Sequence, residues 1–301
     1  MRDMTKHVRT SCLEVAYEDR GSPQAEPVIL VHGFPDDVRT WDGVVAPLVD
    51  TGYRTLTPSL RGFGPTRFLE KTAFRSGQLA ALGQDLIEFA DAVGIERFTL
   101  VGHDWGARAA YIVAALWPER VQGLVALSVG YGTSTPKDQI SYDQARAYWY
   151  QWYFGLERGR AALEQDRRGL CRWLWEAWSP DWHFDDATFE TTAGSFDNPD
   201  FVEVSIHSYR HRWGNAPGDH RYDEIEARMA KLPRIGVAST VLHGADDGAT
   251  FPETSAGKER LYTGPYDRRV IGGVGHFVQR ERPDAVVEAV LARMRPSSSS
   301  Y

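Results

Sequence analysis

The run Gly102-His103-Asp104-Trp105-Gly106-Ala107 constrains this chain more than any other stretch. The apolar segment Phe98-Thr99-Leu100-Val101 precedes it, and the helical-looking Ala109-Ala110-Tyr111-Ile112-Val113 follows. That order reads as strand, sharp turn, helix, with Asp104 presented at the turn. The turn forces its middle residue into strained backbone angles. Side chains two positions to either side would collide with it, which accounts for Gly102 and Gly106. A serine in the middle would transfer acyl groups. A carboxylate can instead attack an sp3 carbon and form an ester with the protein itself. Asp104 thus points away from ester substrates and toward epoxides or carbon–halogen bonds.

Strands and helices alternate on both sides of this turn. Strands are expected over His7–Tyr17, Pro27–Val31, Tyr53–Thr57, Phe98–Val101, Val121–Ser128, Ser239–His243 and Arg268–Ile271. Helices are expected over Trp41–Val49, Leu79–Val93, Arg108–Leu116 and Pro283–Arg293. The pattern implies an α/β fold with a doubly wound, mostly parallel sheet. From Thr133 to Ile235 the register changes to helical patterns without a convincing buried strand, and seven of the ten tryptophans fall there. This segment, 133–235, reads as a helical cap inserted into a core made of 1–132 and 236–301.

A net charge of −7 argues against nucleic acid or an anionic membrane as partner. Cys12 and Cys171 form neither a disulfide framework nor a metal spacing, and no apolar run reaches bilayer length. Met1–Ser22 has no apolar stretch of the signal-peptide kind, so the expected compartment is the cytoplasm. The tail Ser297–Tyr301 is low in complexity and expected to be disordered.

An aspartyl ester persists unless water is activated, so Asp104 needs a general base. His276 stands in Gly272-Gly273-Val274-Gly275-His276-Phe277, just past the last strand, at the sheet edge where such sites assemble. An orienting carboxylate should follow the preceding strand, and Leu242-His243-Gly244-Ala245-Asp246-Asp247 offers two. Spacing favours Asp247, with Asp246 as the alternative. Two backbone N–H groups should meet the oxyanion that forms when water attacks the ester, those of Trp105 and Phe34. Pro35 would fix the Phe34 loop, and the Phe34–Pro35 bond is open to either isomer.

His32-Gly33-Phe34-Pro35, Gly102-His103-Asp104-Trp105-Gly106 and Gly275-His276-Phe277 together resemble the epoxide hydrolase branch of the α/β-hydrolase superfamily. The resemblance runs from Pro27 to the closing helix and implies the α/β-hydrolase fold with a helical cap. It also implies two cap tyrosines that hydrogen-bond the epoxide oxygen as the ring opens. In Tyr150-Gln151-Trp152-Tyr153-Phe154 the match falls on Tyr150, and in Tyr209-Arg210 on Tyr209. A phenol of pKa about 10 can donate to a developing alkoxide without ionising beforehand. The implied partners are a small apolar epoxide and water, with no cofactor and no metal. A homodimer is compatible with this reading. Phe34, Trp105, Trp149 and Trp152 are expected to line the substrate site. The chain departs from the family at Ser59, where an Asp usually stands before Arg61-Gly62; a loop-packing consequence is expected there.

Other readings compete. A hydrolytic dehalogenase would use the same Asp, His and Asp, with Trp105 and Trp149 or Trp152 cradling a halide. Arg108 matches one of two carboxylate-gripping arginines in haloacetate dehalogenases, whereas Trp105 stands where the other would be. Otherwise Arg108 reads as a residue on the surface of its helix. Tyr150 and Tyr209 could equally belong to an aromatic core stripe. A non-catalytic binding module on the same fold ranks lower, because every catalytic member is present.

Overall fold

The computed structural model describes residues 5–133 and 139–294. The serine-rich tail lies outside the described residues. The strands are β1 (Lys6–Arg9), β2 (Leu13–Arg20), β3 (Pro27–Val31), β4 (Arg54–Pro58), β5 (Arg67–Phe68), β6 (Phe98–His103), β7 (Val121–Leu127), β8 (Ser239–Gly244) and β9 (Tyr266–Ile271). They form one sheet in the order β1-β2-β4-β3-β6-β7-β8-β9, with β5 paired to β2. From β4 to β9 the pairings are parallel, and β1–β2 and β2–β4 are antiparallel.

The continuous apolar run at β3 is explained by burial on both faces. Ile29 and Val31 point into one layer of the core, and Val28 and Leu30 into the other. The helices of the core are α1 (Asp42–Asp50), α2 (Leu79–Ala92) and α3 (Trp105–Leu116), with α11 (Val278–Glu281) and α12 (Pro283–Met294) at the end of the chain. Val44 and Leu48 of α1 and Val286 and Val290 of α12 fill the Val28 layer. The α2 and α3 helices fill the other, with Leu86, Phe89 and Tyr111 among their contributions.

Between β7 and β8 the described chain carries helices α4 (Tyr142–Ala147), α5 (Trp149–Phe154), α6 (Glu157–Gln165), α7 (Arg167–Trp178), α8 (Asp186–Ala193), α9 (Phe201–Arg212) and α10 (Asp223–Met229). Their buried aromatic residues, such as Trp175, Phe189 and Tyr209, belong to the same apolar cluster as the α2–α3 layer, so the insertion shares its core with that face of the sheet.

Two elements differ from their sequence reading. His7–Tyr17 is a hairpin, not one strand: the chain reverses at Thr10–Cys12, with the Thr10 N–H donating to the Leu13 carbonyl at 2.8 Å. A tight reversal preserves the alternation of apolar side chains on either side of it, so periodicity does not register the turn. The helix expected from Arg108 begins three residues earlier, at Trp105, directly after the strained Asp104.

Candidate active site

Asp104 has φ 48° and ψ −111°, a backbone conformation that few residues other than glycine adopt. The turn closes tightly. A Cβ on Gly106 would sit 2.1 Å from the Val31 carbonyl oxygen, and one on Gly102 would sit 2.4 Å from that of Gly106. The reward is placement: the Asp104 side chain stands at the carboxyl end of β6 and the N-terminus of α3, where the helix dipole favours a negative charge. Its Oδ1 accepts the Phe34 N–H at 3.1 Å. Trp105 is the first residue of α3, so its N–H has no acceptor within the helix. These are the two N–H groups singled out in the sequence; the Phe34 N–H reaches the Asp104 carboxylate directly, and that of Trp105 follows Asp104 in the chain. The Phe34–Pro35 bond is cis.

His276 Nδ1 lies 2.8 Å from Asp247 Oδ2, and both side chains are buried. Asp246 is exposed and takes no part. Asp247 is held on every side. Its Oδ1 accepts the N–H groups of Ala249 and Thr250, each at 2.8 Å, and its Oδ2 is also 3.3 Å from His243 Nε2. Burial alone would raise the Asp247 pKa, but His276 and His243 override it and hold the carboxyl well below its ordinary range. For His276 burial works downward, and the Asp247 carboxylate more than reverses it, leaving the pKa raised. Because Nδ1 serves Asp247, Nε2 is the basic nitrogen. It is buried without a partner among the described residues.

The backbone around His276 is fixed as well. Its carbonyl accepts the Ser128 hydroxyl at 2.6 Å and lies 3.0 Å from His103 Nε2. Burial first, then His276, pushes the His103 pKa down to about 4, so His103 stays neutral beneath the site. His32 is likewise buried, with its pKa lowered to about 4. Its Nδ1 donates to the Gly33 carbonyl and its Nε2 accepts the Leu60 N–H, each at 3.0 Å, which braces the loop carrying Phe34.

The insertion closes the site from the other side with aromatic rings. Tyr150 on α5 and Tyr209 on α9 are both buried, with ring centroids 5.3 Å apart. Tyr209 packs on Phe34 at 5.5 Å and on Trp105 at 5.6 Å. Burial, followed by Asp104, raises the Tyr150 pKa. Burial, followed by Tyr150 and Asp104, raises that of Tyr209. Both phenols are therefore protonated and stand close enough to Asp104 to feel its charge. The Arg212 guanidinium, 5.0 Å over the Tyr209 ring, acts in the opposite sense on both.

Of the expected wall residues, Trp152 is not brought into this arrangement, and Trp149 sits at its edge. Trp152 is 38% exposed, its indole N–H donates to the Ala145 carbonyl at 2.8 Å, and its ring packs at a tilt against Trp213. Trp149, partly buried, packs edge-on against Tyr150 at 6.3 Å as well as against Tyr153 and Trp173. The reason for Trp152 is helical geometry: two positions after the inward-facing Tyr150 on α5, its side chain points to a different side of the helix. Arg108 also differs from the surface reading. It is buried, because α3 is covered along nearly its whole length, and its Nη1 donates to the Thr133 carbonyl at 2.9 Å.

Trp178 escaped the sequence reading. Its ring lies 4.9 Å from Tyr150 and 5.0 Å from His276, and its carbonyl accepts the N–H groups of both His276 and Gly248. It was one tryptophan among seven in the insertion, with no local signal to separate it.

The alpha/beta hydrolase fold family matches residues 26–283 of the chain. A crystal structure from Klebsiella pneumoniae, of a protein whose epoxide hydrolase designation is provisional, superposes with a TM-score of 0.93 at 40% identity, covering 97% of each chain. An epoxide hydrolase of Caballeronia sordidicola is 33% identical over 315 residues, 96% of this chain and 92% of its own. A shorter match, 34% identical over 128 residues, covers 42% of this chain and 41% of a fluoroacetate dehalogenase from a Burkholderia species. Fold, site geometry and these near-full-length similarities agree: the chain belongs to the α/β-hydrolase superfamily, in its epoxide hydrolase branch.

Proposed function

We propose that the protein hydrolyses a small apolar epoxide to a vicinal diol through an ester on Asp104. The observation that carries this reading is a carboxylate nucleophile faced by two protonated, buried phenols. An Asp104 oxygen attacks an epoxide carbon as the ring C–O bond breaks. The electron pair goes to the ring oxygen, which Tyr150 and Tyr209 hydrogen-bond and protonate. His276, oriented by Asp247, then takes a proton from water at Nε2, and the hydroxide attacks the ester carbonyl. The N–H groups of Phe34 and Trp105 receive the oxyanion. Collapse releases the diol oxygen with the proton held by His276, and the remaining acid proton returns to the phenolate. Residues 133–235 act as the cap, and Phe34, Trp105 and Trp178 wall the pocket with apolar rings that suit an apolar substrate.

Against the halide alternative, the Trp152 indole N–H is already donated to the Ala145 carbonyl at 2.8 Å.

A single turnover with enzyme in excess, run in heavy-oxygen water, tests the covalent route. The first diol should carry ordinary oxygen from Asp104, and heavy oxygen should enter only in later turnovers. Heavy oxygen in the first diol would mean direct attack by water.

A further inference from the structure

Gln151 is buried next to Tyr150 on α5, and the mechanism above gives it no task. Its amide touches two groups of different character. The Trp213 indole Nε1 lies 2.8 Å from Oε1, and Nε2 lies 2.9 Å from the Tyr150 hydroxyl oxygen. An indole N–H can only donate, so the amide atom facing it must be the carbonyl oxygen. That fixes the amide in one of its two orientations and turns the NH2 group toward Tyr150. A phenol oxygen can both accept and donate, but here it faces a donor and must accept. The Tyr150 hydrogen is then directed elsewhere, and among the described residues nothing accepts it. The remaining direction is the space shared with Tyr209 and Asp104.

We propose, resting on the epoxide reading above, that Gln151 is a positioning residue for Tyr150. Locked by Trp213, it donates to the phenol oxygen and so commits the phenol hydrogen to the epoxide oxygen. The partly exposed Trp152, tilted against Trp213 with ring centroids 4.7 Å apart, backs this relay from outside. When the phenol gives up its proton, the same amide N–H stabilises the phenolate. The Arg212 guanidinium is the other group that favours that anion, against Asp104 and Tyr148, which oppose it.

The decisive variant is Gln151→Glu. A carboxylate can still accept the Trp213 N–H, so packing and that contact persist. Toward Tyr150, however, it can only accept, and it draws the phenol hydrogen away from the site. Ring opening is read in single turnovers as the mass gain of the ester on Asp104, which keeps it apart from the later hydrolysis by His276. Gln151→Glu should slow this step about 100-fold at neutral pH. The loss should shrink as pH falls and the Glu side chain protonates, because its O–H then donates to Tyr150 as the amide does. Gln151→Met removes the donor without reversing it and should cost on the order of tenfold, with no such recovery. Trp213→Phe, which frees the amide to flip, provides a second route should Gln151→Glu fold poorly, and should also cost on the order of tenfold.

Equal losses in Gln151→Glu and Gln151→Met, both flat with pH, would overturn the proposal in favour of simple packing. So would unchanged ring opening in Gln151→Glu and Gln151→Met when the wild type makes diol. Absence of diol and ester from the wild type across an epoxide panel would instead overturn the epoxide reading, and the proposal with it.

Discussion

The core and the insertion hold their halves of the site by different forces. On the core side, Asp104 and Asp247 are each pinned by backbone N–H groups at 2.8–3.1 Å, and His276 is pinned through Asp247 at 2.8 Å. These contacts fix angles as well as distances, and they act at strand ends that the sheet itself makes rigid. On the insertion side Tyr150 and Tyr209 sit among rings at 4.9–6.3 Å. Ring packing fills space and tolerates tilts from 41° to 86°, so it sets position more loosely than orientation-specific hydrogen bonds do. On the proposed mechanism the difference divides the labour: the core would provide the covalent chemistry at fixed geometry, and the insertion would provide the acid and the shape that admits a substrate. The division has one bridge. The C-terminal turn of α7 is fastened to core loops, with the Trp178 carbonyl accepting from His276 and Gly248 and the Trp175 indole donating to the Pro35 carbonyl at 2.7 Å. That part of the insertion therefore moves with the core.

The largest separation of the two halves should come from His276→Gln. Ring opening needs Asp104 and the phenols but no base, so the ester should still form. Its hydrolysis should fall about 10³-fold, and the enzyme should accumulate with the mass of one bound epoxide. A variant that forms no ester would show that the halves are not separable in this way. The pH dependence carries the same information. The base is neutral His276, and Asp247 holds its pKa above the ordinary 6.5, so hydrolysis is complete at high pH and is lost as pH falls through that raised value. Asp247→Asn removes the raising charge and should move the acid limb to lower pH while lowering the plateau.

A smaller effect, confined to the insertion side, is expected of Tyr209→Phe. With Tyr150 left to donate, ring opening should slow about 100-fold, while attack on an unhindered alkyl halide, whose leaving group needs no proton, should change little if it occurs at all. Stopped-flow ester formation on both substrates checks this. Equal losses on the two would reduce Tyr209 to a wall.

The same division explains what could be read from the chain alone. Core positions announce themselves through local rules. Gly102 and Gly106 are legible because no Cβ fits there, Asp104 because it stands between them, and His276 because it follows the last strand. Asp247 over Asp246 was a matter of spacing, and the turn leaves one buried and the other exposed. On the insertion side no local rule was available. Tyr150 and Tyr209 came from resemblance to a family, and the same stretch misplaced Trp152, because a six-residue aromatic helix has too little period to reveal its inner face. Gln151 and Trp178 act through partners 62 and 98 positions away, Trp213 and His276, and no window along the sequence contains both members of either pair.

Trp152→Ala is the smallest predicted effect. Trp152 was expected in the substrate wall, and its removal would then raise KM for an aromatic epoxide by more than about tenfold. In the structure the ring is 38% exposed and bonded to Ala145, so truncation opens no space beside Asp104. Steady-state KM should stay within about twofold, and stability should drop by roughly 1 kcal/mol, as is usual for a partly exposed side chain. One indirect effect remains available. Trp152 backs Trp213, and Trp213 orients Gln151, so looser packing there would reach Tyr150 and lower the ring-opening rate without touching KM. A drop in that rate with KM unchanged places Trp152 behind the relay. A rise in KM with the rate unchanged returns it to the pocket and shows that ring packing in the insertion rearranges when substrate enters.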